Sequence, residues 1–299
     1  MLDLPHLPLP KEDLRELQQF CSQDADRQEI LEKSLRRRGI SHKIIPIGET
    51  RHIAIPIREA TKIDSQYYRI TLISHYDRVH GTPGANDNSA CIFQLMNHWE
   101  EISRLGWQNN TQILFTDKEE LTGNMKPSEQ GAYFLAKHFR RLKVQNLLFF
   151  VLDMCGIGNT PVWGFSLKKS GTRQVDNPIS SIYKMVGELL KKYSGGQDFG
   201  VNPMFSDDLG LLLGGYPAIR LTILPRKEAF YLAKQYRQIR AKPDESVIIS
   251  QKIDLPKTWK ASHGPDDSID KLDSSAFLLM ARILRDLAKY RFPLPRFTA

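Results

Sequence analysis

The sequence has 299 residues, 41% hydrophobic and 25% charged, an ordinary globular composition that allows a sizeable core. Lys and Arg number 42 against 34 Asp and Glu, a formal charge of +8, but the basic residues fall in short groups at or just past predicted helix ends. Arg36–Arg38, Lys168–Lys169 and Lys191–Lys192 therefore read as a solvated, dipole-matched surface rather than a nucleic-acid patch. The three cysteines, Cys21, Cys91 and Cys155, stand far apart without a C-x-x-C pair, which argues against a disulfide framework and against a thiolate zinc site. No segment is long and apolar enough to span a bilayer, and the first residues lack a secretory pattern, so a soluble, cytoplasmic protein is expected.

Residues 11–38 carry Leu14, Leu17, Phe20, Ile30 and Leu31 at helical spacing and end at Gly39, which predicts two short helices. Ile40–Ile57 reads as a hairpin turning at Gly48-Glu49-Thr50. Buried strands are then predicted at Tyr68–Ser74, Thr111–Thr116, Leu147–Leu152 and Ala218–Leu224, each an apolar run bounded by polar turns. Between them lie predicted helices at Asn88–Arg104, Glu129–Leu142 and Pro178–Tyr193, the last capped by Asn177 and ended by Gly195-Gly196. Asp273 caps a final helix whose Phe277, Met280, Ile283, Leu284 and Leu287 form one apolar stripe. Alternation of strand and helix predicts one α/β domain over 1–299, a three-layer sandwich around a mixed, mostly parallel sheet. A charged excursion at 225–262, with a helix at Glu228–Arg240 and a short strand at Ser246–Ile249, reads as a lid or as a surface insertion.

Three strands run into acids or histidine: the first into His75-Tyr76-Asp77, the second into Asp117-Lys118-Glu119-Glu120, the third into Asp153. The carboxyl ends of parallel strands face one crevice, so these groups should converge, and a divalent cation would relieve the repulsion between their carboxylates. Histidine with Asp and Glu and no thiolate suits zinc in a catalytic role. Asp77, two residues after His75, points to the same side and can accept the imidazole N–H. The turn-rich Gly81–Ala90 loop delivers Asp87 to a helix start, where it is either an N-cap or a carboxylate bridging two cations. Glu119 and Glu120 are either a solvated pair or a base beside a ligand. The loop from Ser262 to Asp270 supplies the second histidine, His263.

Other templates fit poorly. There is no H-E-x-x-H, Gly164–Lys168 lacks the second glycine of a nucleophile elbow, and Gly156–Pro161 lacks the third glycine of a dinucleotide loop and reads as a turn. Cys91 and Cys155 read as buried small hydrophobes, and His6, His42, His52, His98 and His138 as structural.

The ordered set His75-x-Asp77, Pro83-Gly-Ala-Asn-Asp87-Asn-Ser, Asp117-x-Glu119-Glu120, Leu152-Asp153-Met and Ser262-His263-x-Pro-x-Asp resembles the co-catalytic zinc aminopeptidase and glutaminyl cyclase family of metallopeptidases. The resemblance implies that Asp87 bridges two zinc ions, one completed by Glu120 and His263 and the other by His75 and Asp153. It also implies that Glu119 is the general base, that the Asp87–Asn88 bond is cis, and that Asp207 meets the free amino group of a peptide substrate. Two departures stand out: Lys118 replaces the usual glycine between Asp117 and the Glu pair, and Asp208 replaces the histidine usual after Ser206-Asp207. An aminopeptidase is the first expectation. A glutaminyl-peptide cyclotransferase using one zinc is the second, and a non-catalytic scaffold the third; neither nucleic acid nor membrane is an expected partner.

Overall fold

Four apolar runs with almost no polar interruption build the centre of the sheet, because strands covered on both faces need apolar side chains in both directions. In the computed structural model, which describes residues 6–57, 65–106, 110–121, 126–164, 178–201, 206–240 and 253–295, these are β3 (Arg69–His75), β4 (Thr111–Thr116), β5 (Leu147–Leu152) and β7 (Ala218–Leu224). They pair in parallel in the order β4-β3-β5-β7. The predicted hairpin forms β1 (Lys43–Ile47) and β2 (Thr50–Ile55), with Ile47 opposite Thr50 across a two-residue turn. β2 joins β4 antiparallel, and β6 (Thr160–Gly164) closes the other edge antiparallel to β7, giving a seven-stranded sheet β1-β2-β4-β3-β5-β7-β6.

Side chains alternate between two cores. Ile70, Leu72, Ile113, Phe115, Leu148, Phe150, Ile219 and Leu221 face one cluster, and Ile73, Leu114, Leu147, Phe149, Val151 and Ala218 the other. The larger core takes α1 (Lys11–Phe20), α2 (Arg27–Arg37), α3 (Ala90–Arg104), α5 (Pro178–Lys191), α7 (Arg226–Arg240) and α9 (Ser274–Lys289). The smaller takes α4 (Gly131–Arg141) and α6 (Asp207–Leu213). In α9 the Asp273 side chain accepts from the Ser275 N–H at 2.8 Å, and all five stripe residues are buried. Each such burial stabilises by roughly 1.5–3 kcal/mol, more than any propensity difference along the helix. The chain is thus an α/β protein with a mixed sheet between helical layers.

Several boundaries shift. α3 starts at Ala90 rather than Asn88, because the peptide leaving Asp87 is not helical. β6, a strand not predicted, begins at Thr160 directly after the Gly156–Gly158 turn; Pro161 is tolerated because β6 is an edge strand. The basic groups are not simply solvated. Arg37 pairs with Glu12, Asp13 and Glu16, while the Arg38 side chain is 1% exposed and pairs with Asp13 and Glu100. Lys191 pairs with Glu188, and Lys192 with Asp286. Of the 225–262 stretch, α7 and α8 (Lys257–Lys260) are described; the predicted Ser246–Ile249 strand, the Asn177 cap and Lys168–Lys169 lie outside the described residues. No described helix is long and apolar enough to cross a membrane.

Candidate metal centre

The last residue of β3 is His75, and its ring is buried at the carboxyl end of the sheet. Nε2 lies 3.1 Å from Asp87 Oδ1 and 3.9 Å from Asp153 Oδ1. Nδ1 bonds the Asp77 carbonyl at 3.3 Å and stands 3.5 Å from Asp77 Oδ1, so the expected imidazole–Asp77 link runs through the backbone, with the carboxylate in ion-pair range but without a hydrogen bond. Asp77 Oδ2 also accepts the Glu120 N–H at 2.9 Å, tying the β4 loop to the β3 end.

Asp87 rides on a tight loop. Gly84 has φ +58, and a Cβ there would fall 2.7 Å from both Arg27 Nη2 and the Asp87 carbonyl, so only glycine fits. Asp267 accepts the Asn86 N–H at 2.7 Å and the Asp87 N–H at 3.0 Å with its two oxygens. Asn86 Oδ1 accepts from Gly156 N–H, and Asn88 donates to the Leu152 carbonyl, clamping the loop to the end of β5. The Asp87–Asn88 bond is cis. Beneath the loop, the buried Arg27 of α2 donates to the carbonyls of Phe20, Tyr76, Asp77, Pro83 and Gly84 and to Ser89 Oγ, at 2.8–3.2 Å. It thereby joins the His75 and Asp87 segments.

Asp87 Oδ2 faces His263 Nε2 at 3.3 Å, and Glu120 Oε2 faces the same nitrogen at 3.0 Å. One carboxylate therefore belongs to two donor groups, His75/Asp87/Asp153 and Asp87/Glu120/His263, each with its donor atoms within 4.8 Å of one another. A third overlapping group joins His75, Glu119 and Glu120. The His263 side chain is 55% exposed and marks the mouth, whereas His75 and Asp153 line the floor. Behind Asp153 stands Arg220 of β7, 1% exposed, with Nη2 3.3 Å from Asp153 Oδ2 and its guanidinium 5.6 Å from the Trp259 ring centroid.

The β4 loop turns at Lys118, whose φ of +63 is the conformation a glycine adopts without strain. Lys118 thus holds a turn that favours glycine, at some conformational cost. Glu119 is buried beyond it, and Gln130 Nε2 donates to Glu119 Oε1 at 3.2 Å and to its carbonyl at 3.3 Å. Asp207, at the start of α6, is fully buried and accepts from Thr116 Oγ1. Asp208, also buried, accepts the Ser206 N–H at 3.0 Å.

The electrostatics show a cluster that demands positive charge. Burial raises the Glu119 carboxyl well above its usual range, helped by Asp207 and Asp153 against the pull of His75. Burial also pushes Asp207 up to about 7 and Asp267 up to about 6. Asp87 and Glu120 raise His263 to about 10. Burial opposes charge on His75, yet Asp153, Asp77 and Asp87 raise it well above normal. A divalent cation would supply that positive charge while displacing protons from the donors. The residues fit such an ion: His75 Nε2 and Asp153 Oδ1 are buried without a hydrogen bond, and imidazole plus carboxylate donors without thiolate suit catalytic zinc.

The predicted site residues His75, Asp77, Asp87, Glu119, Glu120, Asp153, Asp207 and His263 thus all lie at this sheet end or in the segments around it. Three further residues escaped sequence reading. Arg27 and Gln130 lack any local signal, whereas Arg220 had one, a lone charge inside the apolar run Ala218–Leu224.

The fold has many solved counterparts. A leucine aminopeptidase precursor from Bacteroides thetaiotaomicron superposes with TM-score 0.63 at 16% identity, over 92% of this chain and 93% of that one. A Zn-dependent exopeptidase from Parabacteroides distasonis gives 0.60 at 15%, over 93% and 95%. Glutaminyl cyclase of Porphyromonas gingivalis gives 0.59 at 16%, over 92% and 94%. The chain spans 66% of LapB from Legionella pneumophila (TM-score 0.54, 14% identity, 94% of this chain). It spans 48% of an aminopeptidase from Aneurinibacillus sp. strain AM-1 (0.53, 16%, 82%). No curated protein matches the sequence. At these identities the likeness concerns the fold alone, but residues 58–288 match the model of peptidase family M28. That match covers most of the sequence and runs through the whole histidine and carboxylate cluster, and the chain belongs to peptidase family M28.

Proposed function

We propose that this chain is a zinc-dependent aminopeptidase that hydrolyses the first peptide bond of substrates with a free N-terminus. The observation that carries the reading is the pair of donor groups sharing Asp87, with buried Glu119 beside them. Zinc held by these residues would supply Lewis acidity, polarising the scissile carbonyl and bringing the ionisation of water towards neutral pH. Glu119 takes the proton from the attacking water and hands it to the leaving amine; burial has already raised its carboxyl towards the operating pH. Gln130 fixes the orientation of that carboxylate. Asp77 sets both the His75 ring and the Glu120 backbone. Asp207 meets the substrate's ammonium, whose charge restores ionisation to a carboxyl that burial holds near 7. Residues 257–262, the described end of the 225–262 stretch, lead directly into His263 at the mouth and shape access to it.

The reading is tested by hydrolysis of a Leu-initiated peptide. The expected result is activity in the zinc-loaded protein, loss on chelation, and a 100- to 10,000-fold lower kcat in Glu119→Gln with unchanged zinc content. Full activity in Glu119→Gln would remove the base from the account. A second reading, glutaminyl cyclisation with one zinc and Glu119 as proton shuttle, is supported by one observation: Arg220 already offers Asp153 a positive partner.

A further inference from the structure

The two donor groups of the centre differ in charge. Asp87, Glu120 and His263 have two carboxylates and no Lys or Arg among their described ion pairs. The His75/Asp87/Asp153 group has the same formal set plus Arg220, whose guanidinium lies 3.3 Å from Asp153 Oδ2. Arg220 cannot swing away. Its backbone is locked between β5 and β6, opposite Val151 and Gly164. Its side chain is 1% exposed and stacks near Trp259, which α8 of the 225–262 stretch brings over it. Asp153 Oδ1, on the His75 side, is the oxygen left without a hydrogen bond.

We propose that Arg220 is a fixed internal cation that makes the two metal positions unequal. Zinc is held tightly by Asp87, Glu120 and His263, and a second ion is held only weakly by His75, Asp87 and Asp153. The inference rests on the zinc reading of the site. Arg220 orients the Asp153 carboxylate, as an outer partner of a ligand does, yet its positive charge opposes a divalent ion on the carboxylate's other oxygen. At an effective dielectric near 20, a unit charge roughly 7 Å from a divalent ion weakens its binding by well over 100-fold. Under limiting zinc the enzyme then works with one ion, and the second loads only as free zinc rises.

Metal-stripped full-length protein is dialysed against a series of zinc-buffered solutions, and bound zinc per chain is measured by atomic emission. The expected result for the parent is a first equivalent bound at least 30-fold more tightly than a second. Arg220→Gln, which keeps a donor to Asp153 without the charge, is expected to bring the two steps within about tenfold, and Arg220→Met to do the same. Asp153→Asn is expected to delete the weak step alone. Two steps of equal affinity in the parent, or an unchanged gap in a folded Arg220→Gln or Arg220→Met variant, overturns the inference. If neither neutral variant folds, the parent titration with Asp153→Asn decides it: a weak step that survives in Asp153→Asn refutes it. Failure of the parent to bind any zinc instead brings down the zinc reading of the site, a result readily told apart from two equal steps.

Discussion

Replacing Arg27 by Met should loosen the metal centre from beneath. The guanidinium is buried and satisfies five carbonyls and one hydroxyl, drawn from α1, the β3 end and the Asp87 loop. A hydrogen bond from a charged donor contributes about 1.5–3 kcal/mol and an abandoned buried acceptor costs about 1–3 kcal/mol, but the six share one site and do not add. Removing one buried charged partner typically costs about 3–5 kcal/mol in total. For a domain of this size that is roughly a 5–8 °C fall in Tm. Because Gly84 and Asp87 lie on the freed loop, zinc affinity should fall tenfold or more as well. Arg27→Lys, with one compact ammonium in place of a planar fork, should fall in between. The assay is thermal unfolding with and without zinc, together with zinc competition against a chelator. A Met variant that melts within 2 °C of the parent and binds zinc equally well would refute the clamp.

Three further outcomes follow from the geometry. His98 is buried and its imidazole is pushed down to about 4, chiefly by burial. Its stabilising effect is therefore complete above the unfolded value of about 6.5 and is lost as pH falls towards 4; between pH 7.5 and 5 the parent should lose about 2 kcal/mol more than His98→Gln in urea unfolding. Gly131→Ala places a Cβ 1.8 Å from the Asp117 carbonyl, so the β4 loop must shift, and both Tm and kcat should drop. Chelation should lower the Tm of the parent, and restored zinc should raise it again in proportion to the logarithm of free zinc. A Tm indifferent to zinc would contradict the site.

Much of the fold was legible because its signals are local. β3, β4, β5 and β7 are uninterrupted apolar runs, and α9 carries its stripe and its Asp273 cap in sequence. What escaped depends on distant partners. α6 is short and contains Gly210, which propensity alone rejects. The structure needs glycine there, since a Cβ would meet the Tyr133 amide at 2.8 Å as α6 packs on α4. Arg27 carries no local signal and Arg38 reads as an ordinary helix-end charge, yet their acceptors lie up to 62 residues away, as Ser89 and Glu100 show. The candidate site was legible for a different reason: strand ends of a parallel sheet converge by topology, so a residue's place just after a strand already fixes its neighbourhood. Asp267 stood in a quoted motif without a role, and only the fold shows it holding the Asn86 and Asp87 amides.

The central claim is that Glu119 and the zinc-binding cluster remove an N-terminal residue from peptides. Zinc-loaded protein incubated with peptides beginning in Leu, Glu and Gln, followed by mass spectrometry, tests it most directly. The expected result is loss of the mass of one residue from at least one peptide, abolished by chelation. Loss of ammonia from the Gln peptide alone would contradict the peptidase and assign the chain to cyclisation.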